Sequence, residues 1–345
     1  MDLVTNITTN IESFINPINT FYLPSGRVIV SKLQDGTLIE STEMRDVTLD
    51  GKNHQIVRET NDPTVIWEHL APVTEKWLLT VSTQKGCCHK CHFCDVAPLG
   101  FNGNLSTEEI LAQIHMLISS TPEIITNGTK KAKIGFARMG EPAHNLYNVL
   151  SVMTALRFDS LTLHNKINWL PCFNSILPVK TIEHNSWKDV LDSVLQVKEE
   201  KFNGFLHLQI SCNSTDEKTR WRLFNGANVA RIKDIIQYIN TKTITNRTVT
   251  LNFISMQDVE FDAKKLLDYG LNKERFAVKL IPLNKTINAT ENGLKTVYNY
   301  SNYDALKAQE NLLRAEGIPI VTDAIAKCEE AGLCCGQLLR KYYEK

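Results

Sequence analysis

Four cysteines fall between positions 87 and 94: Cys87, Cys88, Cys91 and Cys94. The spacing Cys87-x3-Cys91-x2-Cys94 presents three thiolates from one short loop, enough to hold three irons of a cubane iron–sulfur cluster and leave the fourth open. S-adenosylmethionine (SAM) can chelate that iron through its amino and carboxylate groups, and one electron then cleaves it to a 5′-deoxyadenosyl radical; the cofactor carries that chemistry. Phe93, just before the last cysteine, would shield one side of such a cluster. A zinc site is the competing reading, because His89, His92 and Cys88 add ligands, although a structural zinc site usually needs a second ligand pair some way off and none is evident. The other cysteines are an adjacent pair, Cys334 and Cys335, and three isolated residues, Cys172, Cys212 and Cys328, which read as small buried hydrophobes. Nine cysteines in a chain beginning MDLVTNITTNIESF, with neither a basic nor an apolar leader segment, do not read as a secreted disulfide framework. The expectation is a reducing, cytoplasmic compartment.

Positioning such a loop takes a scaffold, and 345 residues of which 43% are hydrophobic can bury a large core. Charged residues at 22% exclude whole-chain disorder, and no apolar run reaches the length of a membrane span. The 38 basic and 38 acidic side chains cancel, whereas a protein that grips a long nucleic acid by its phosphates usually carries a basic surplus. The basic clusters are short (Lys130, Lys131 and Lys133; Lys218, Arg220 and Arg222; Arg340 and Lys341), and each reads as a solvated face. Residues 1–75 form a small β-rich section in which Ser25-Gly26 and Asp35-Gly36 mark turns. From 76 to 345 the character changes to alternating strand and helix. Candidate strands are Trp77–Thr83, Ala132–Arg138, Ile167–Pro171, Phe205–Ser211, Thr248–Ile254 and Phe276–Ile281. Candidate helices are Thr107–Ser120, with Ser106 and Glu109 spaced as a capping box, Leu146–Arg157, Trp187–Glu199, Val229–Asn240 and Ala263–Tyr269. The fold class is therefore α/β, a partial (β/α)6 TIM-type barrel with its active site at the C-terminal strand ends. The segments able to do chemistry fall there: GCCHKCHFC after the first strand, MGEP after the second, SCN at the end of the fourth and PLN after the sixth.

The cysteine spacing in this place resembles the radical SAM superfamily. Ser82-Thr83-Gln84-Lys85-Gly86-Cys87, Cys91-His92-Phe93-Cys94 and Gly100-Phe101-Asn102-Gly103-Asn104-Leu105-Ser106 are similar to the cluster loop of its RlmN/Cfr family, methyltransferases that act on C2 or C8 of an adenine in RNA. Met139-Gly140-Glu141-Pro142 with Asn145, Ile281-Pro282-Leu283-Asn284 and Cys335-Gly336-Gln337-Leu338 resemble further segments of that family, in the same order from about Gly36 to Leu338. The resemblance implies Cys87, Cys91 and Cys94 as ligands of a [4Fe–4S] cluster. It also implies Gly140 and Glu141 at the amino end of SAM, with Ser211, Asn213 and Asn284 at the rest of it; Cys172 falls roughly where the family has a SAM-contacting serine. Cys335 would be the carrier, first methylated by one SAM and then relieved of a hydrogen atom by the radical from a second. Glu40 would be the base, and a flavodoxin- or ferredoxin-type protein the electron donor. The implied substrate is an adenine of ribosomal or transfer RNA, with no membrane partner.

Three departures stand against this pattern. Where the resemblance implies a second catalytic cysteine, seven residues before Cys87, the chain has Thr80, which cannot form a disulfide with the carrier; Cys334, Cys88 and Cys212 are the thiols open to recruitment. The family's helical N-terminal RNA-binding domain is absent or much reduced, and residues 46–72 are an insertion, either a substrate-gripping element or a solvated loop. The alternatives are a divergent radical SAM enzyme using Cys335 on a nucleotide, a DNA base or a peptide, and a non-catalytic nucleic-acid-binding protein with a structural metal site.

Overall fold

The computed structural model describes residues 13–46, 68–158, 166–297, 304–322 and 335–343. Its N-terminal strands, β1 (Ile15–Leu23), β2 (Gly26–Leu33) and β3 (Leu38–Arg45), form an antiparallel meander turned at the two Gly-containing sites. β3 pairs antiparallel with β4 (Trp77–Thr80). A small hairpin follows, β5 (Gln84–Gly86) against β6 (Phe101–Asn104), and carries the cysteines between its strands. The chain then alternates: α1 (Thr107–Ser119), α2 (Pro122–Asn127), β7 (Thr129–Gly135), α3 (Leu146–Phe158), β8 (Ile167–Ser175), α4 (Trp187–Phe202) and β9 (His207–Ser211). After these come α5 (Glu217–Leu223), α6 (Ile232–Asn240), β10 (Val249–Ser255), α7 (Ala263–Asp268), β11 (Phe276–Pro282), α8 (Ile287–Glu291), α9 (Asp304–Ala315), β12 (Ile320–Thr322) and α10 (Gln337–Tyr343). All six expected barrel strands are present, and β12 adds a seventh parallel strand on β11.

The main sheet is one ten-stranded surface in the order β1-β2-β3-β4-β7-β8-β9-β10-β11-β12, parallel from β4 onward. Its two faces differ in chemistry because side chains alternate along each strand and cross-strand partners share a face. Ile134, Phe173, Leu208, Ile210, Leu251 and Val278 are buried in the hydrophobic core. The opposite face carries rows set by the register, Thr80–Gly135–Cys172–His207 and Ser211–Asn252–Lys279 among them. The meander is thus not a separate layer but the antiparallel edge of the barrel sheet. Positions 47–67 of the expected 46–72 insertion lie outside the described residues.

The Ser106/Glu109 capping box starts α1 as expected. On that helix Gln113 is fully buried and joins three elements. Its Oε1 accepts from Ser82 N–H at 2.8 Å and from Ser41 Oγ at 3.0 Å, while its Nε2 donates to Ser82 C=O at 3.0 Å. Ser82 lies just past the end of β4, where the sheet ladder ends, so the amide supplies the backbone pairing the ladder no longer gives. Substituting Gln113→Met keeps the volume and strands both Ser82 backbone groups. It is expected to lower the free energy of unfolding by about 2–4 kcal/mol in urea titration, and an unchanged midpoint would contradict the bridging role.

Candidate active site at the C-terminal strand ends

The cysteine loop is held from both sides by backbone and amide bonds. Cys87 N–H donates to Gly100 C=O at 2.8 Å, closing the hairpin, and the loop then turns through Cys94 N–H to Cys91 C=O and Ala97 N–H to Cys94 C=O, both 3.2 Å. From the far side of the barrel, Thr286 Oγ donates to Phe93 C=O at 2.9 Å, and Asn288 Nδ2 donates to the carbonyls of Cys91 at 2.9 Å and Cys94 at 3.1 Å. Asp95 answers by accepting from Ile287 N–H at 3.2 Å and Asn288 N–H at 2.8 Å. Phe93 packs edge-on against Phe224 with ring centroids 6.0 Å apart.

The three spaced thiols are not gathered closely enough to share a single ion. Thiolates sharing one tetrahedral zinc lie about 3.8 Å apart, given Zn–S bonds near 2.3 Å. Among the described residues the one trio of possible ligand atoms within 4.8 Å of each other is Cys88, His89 and His144; Cys87, Cys91 and Cys94 do not form such a trio. The imidazoles of the close trio are already committed. His144 Nδ1 accepts from Ile182 N–H at 2.9 Å, which leaves its proton on Nε2, 2.8 Å from His89 Nε2, to be donated there. His144 therefore offers no free lone pair to a metal.

Burial pushes the Cys91 thiol up to about 12, with the Glu141 charge adding to it. Cys94 is raised well above the thiol range by burial and by the facing sulfurs of Cys335 and Cys91. Cys87 is raised by its hydrogen bond to Cys88 and by burial, and the same bond holds Cys88 down at about 3, helped by His144 and His89.

The MGEP segment is tied to the same loop. Met139 C=O accepts from Thr83 N–H at 2.8 Å and Gln84 N–H at 3.2 Å. Gly140 has φ +99°, and a Cβ there would stand 2.5 Å from the Gln84 side chain, so only glycine fits. Glu141 donates its N–H to Gln84 Oε1 at 2.9 Å, and its carboxylate accepts from Ala143 N–H at 3.1 Å and Ile176 N–H at 3.0 Å. Asn145 Nδ2 bridges the carbonyls of Thr83 and Leu105, both at 2.7 Å. Across the rim, Ser211 ends β9 half-buried and Asn284 follows β11, also half-buried. Asn213 is 2% exposed in a left-handed backbone turn at φ 64°, and neither atom of its amide has a hydrogen-bond partner among the described residues. A buried amide without a partner is costly unless a ligand completes it. Three thiols on one loop, a glycine-tight turn and an orphaned amide on the same rim fit a cluster with SAM beside it.

The C-terminal segment closes this rim. Cys335 donates its thiol to Ala137 C=O at 3.2 Å; burial raises that thiol, Arg138 opposes the rise and Glu40 adds to it. Gly336 has φ +77°, and a Cβ there would stand 2.7 Å from Val96 N, so its backbone lies flat on the residues following Cys94. Glu40, fully buried on β3, accepts from Gly336 N–H at 3.0 Å and Leu339 N–H at 2.6 Å and pairs with Arg138 Nη2 at 2.6 Å. Arg340 then reaches Asp95 at 3.4 Å.

Thr80 stands on β4 with its hydroxyl against that of Thr42. Of the thiols open to recruitment in its place, Cys212 is fully buried in the hydrophobic core, Cys88 is on the cysteine loop, and Cys334 lies outside the described residues. Cys172 flanks Gly135 from the side opposite Thr80 in the same row. The solvated-face reading fails for Arg220, which is fully buried and bonded to the carbonyls of Cys212 and Ala230, both at 3.0 Å. Sequence reasoning passed over Arg138, Asp95 and Asn288. Their one local signal was a charged residue directly before MGEP and another directly after the third cysteine.

Ligation needs thiolates, so loading iron expels protons from Cys87, Cys91 and Cys94. Ferrous iron uptake by the apoprotein is expected to weaken between about pH 8.5 and pH 6.5, about tenfold per pH unit for each proton released. Uptake independent of pH would contradict these thiols as ligands.

No family model matches the chain. It is 28% identical over 303 residues to a probable RNA methyltransferase of Rhodopirellula baltica, covering 86% of this chain and 72% of that one. It is 26% identical over 329 residues to a probable dual-specificity RNA methyltransferase RlmN of Carboxydothermus hydrogenoformans, covering 94% and 83%. The crystal structure of a radical SAM methyltransferase from Sphaerobacter thermophilus superposes with a TM-score of 0.64 at 18% identity, over 98% of this chain and 85% of that one. The cysteine loop and the rim facing it thus belong to a chain that is similar along most of its length to RlmN-type RNA methyltransferases and shares the fold of a radical SAM methyltransferase.

Proposed function

We infer that the chain is a radical SAM methyltransferase acting on an adenine in RNA, and that the methyl group travels on Cys335. The observation that carries this reading is the docking of the Cys335 segment against the cysteine loop, where a Cβ on Gly336 would stand 2.7 Å from Val96 N, two residues past Cys94. Bound at this rim, the cluster and SAM supply methyl groups and a 5′-deoxyadenosyl radical. The chain's own residues hold and orient: Cys87, Cys91 and Cys94 ligate, Gly140, Glu141, Ser211, Asn213 and Asn284 border SAM, and Cys335 accepts the methyl on its sulfur. RNA as substrate is supported by the names of the relatives. A flavodoxin- or ferredoxin-type protein would deliver the electron, and the reduced thiols suit the cytoplasm. Among the described residues no helix is long and apolar enough to cross a membrane.

The role of Glu40 follows from its bonds. A buried carboxylate that accepts from two backbone N–H groups of the carrier segment and pairs with a guanidinium is a seat for that segment. Sections 1–75 and 76–345 then work as one unit, since β3 of the first positions Cys335 of the second. Thr80 has no thiol for product release, and Cys172 is the described thiol sharing its row.

Two experiments test this reading. Nucleoside mass spectrometry of RNA incubated with the reconstituted enzyme, SAM and a reductant should give methyladenosine with the wild type and none with Cys335→Ala; product from the variant would overturn the carrier role. With Glu40→Gln, alkylation of Cys335 in the apoprotein should speed up several-fold as the segment loosens, because one partner of a buried ion pair is lost. If Glu40 acts only as a base, alkylation stays unchanged while turnover is lost.

A further inference from the structure

At the opposite end of the barrel, where the parallel strands begin, lies a cavity of about 800 Å³. Lys130 and Lys131 at the start of β7, Arg157 on α3 and Arg247 just before β10 line it, and among the described residues no carboxylate does. Lys130 is paired with Glu75 at 2.8 Å, and nearby Asp46 is taken by Lys76. Among the described residues Lys131, Arg157 and Arg247 have no such partner. Burial foremost, then the charges of Lys76, Arg247 and Lys133, hold the Lys131 ammonium below its ordinary range. Two further donors are incomplete: the Arg247 Nε–H and the indole N–H of Trp169, a residue only 8% exposed, have no hydrogen-bond partner among the described residues. Beside them Phe205 leaves 48% of its surface exposed at the cavity wall.

Like charges forced together around unsatisfied donors raise the energy of the empty site, and an anion with several acceptor oxygens relieves both defects at once. The volume suits a ligand larger than a single phosphate, and an exposed aromatic face suits a planar ring. We propose that this cavity is a phosphate-binding site for a nucleotide, with Lys131, Arg157 and Arg247 on the phosphates, the Trp169 indole N–H on an acceptor oxygen and Phe205 against the base. The site is separate from the cysteine rim and does not rest on the function proposed for that rim. The phosphates come from a free nucleotide or from a segment of an RNA strand, and the chemistry of recognition is the same.

The test is calorimetric titration of the full-length protein, with SAM in excess to occupy the rim, using UDP, pyrophosphate and single-stranded decauridylate as probes. The wild type is expected to bind at least one of them, and Lys131→Met or Arg247→Gln to weaken that binding about tenfold or more, the loss of a charge-assisted contact. Removing a cation from a self-repelling cluster should leave the unliganded melting temperature unchanged or raised, which separates lost binding from lost folding. UDP binding without decauridylate binding assigns the site to free nucleotides; the reverse assigns it to a strand. Absence of binding by all three probes, or equal binding by wild type and both variants, overturns the proposal, whatever the activity at the cysteine rim.

Discussion

A fully buried carboxylate cannot remain uncompensated in a protein interior, and that of Glu40 draws together three parts of the chain distant in sequence. Its own strand is β3, its counter-charge Arg138 comes from the exit of β7, and its two backbone donors, Gly336 and Leu339, start α10. Desolvation makes each of these partners obligatory, so the antiparallel edge, the MGEP rim and the C-terminal segment are fixed relative to one another. Cys335 inherits its place from this arrangement, as does the contact of Gly336 with the residues after Cys94. The Cys335 sulfur is thus set by an ion pair rather than by a strand or helix of its own.

The cysteine loop follows a related logic. It has little hydrogen-bonding capacity of its own, because its backbone leaves the ladder after β5. Asn288 and Thr286 from beyond β11 satisfy its carbonyls, while Asp95 satisfies the amides of Ile287 and Asn288 in return. Each side completes the other, so the loop and the sixth barrel strand end form one unit. Cys87, Cys91 and Cys94 are not all close enough to share one ion, and ligands of a polynuclear cluster need not be.

Much of this was legible in the sequence, where the governing interactions are local. The six strands β4 and β7 to β11 follow from alternation and β-branched content, the start of α1 from Ser106 and Glu109, and the cysteine loop from its spacing, whereas the short hairpin β5–β6 was not expected. β12, three residues long, is too short for periodicity to register. The continuity of β1–β3 with the barrel depends on the pairing of β3 with β4 across the insertion, which no local pattern encodes. The seat that Glu40 gives the C-terminal segment was not legible, because its donors lie almost 300 positions away, at Gly336 and Leu339. Arg220 read as part of a solvated cluster, yet it is folded inward onto the carbonyls of Cys212 and Ala230, a contact set by how α5 packs on β9 rather than by composition.

The central claim is that the Glu40-seated segment presents Cys335 as a methyl carrier. Peptide mass spectrometry on protein purified with its cluster intact tests it most directly. The account predicts a peptide containing Cys335 heavier by one methyl group, with the modification absent when Cys87, Cys91 and Cys94 are replaced by alanine. An unmodified Cys335 in protein that cleaves SAM under reduction would contradict it, leaving a radical enzyme in which this cysteine carries no methyl group.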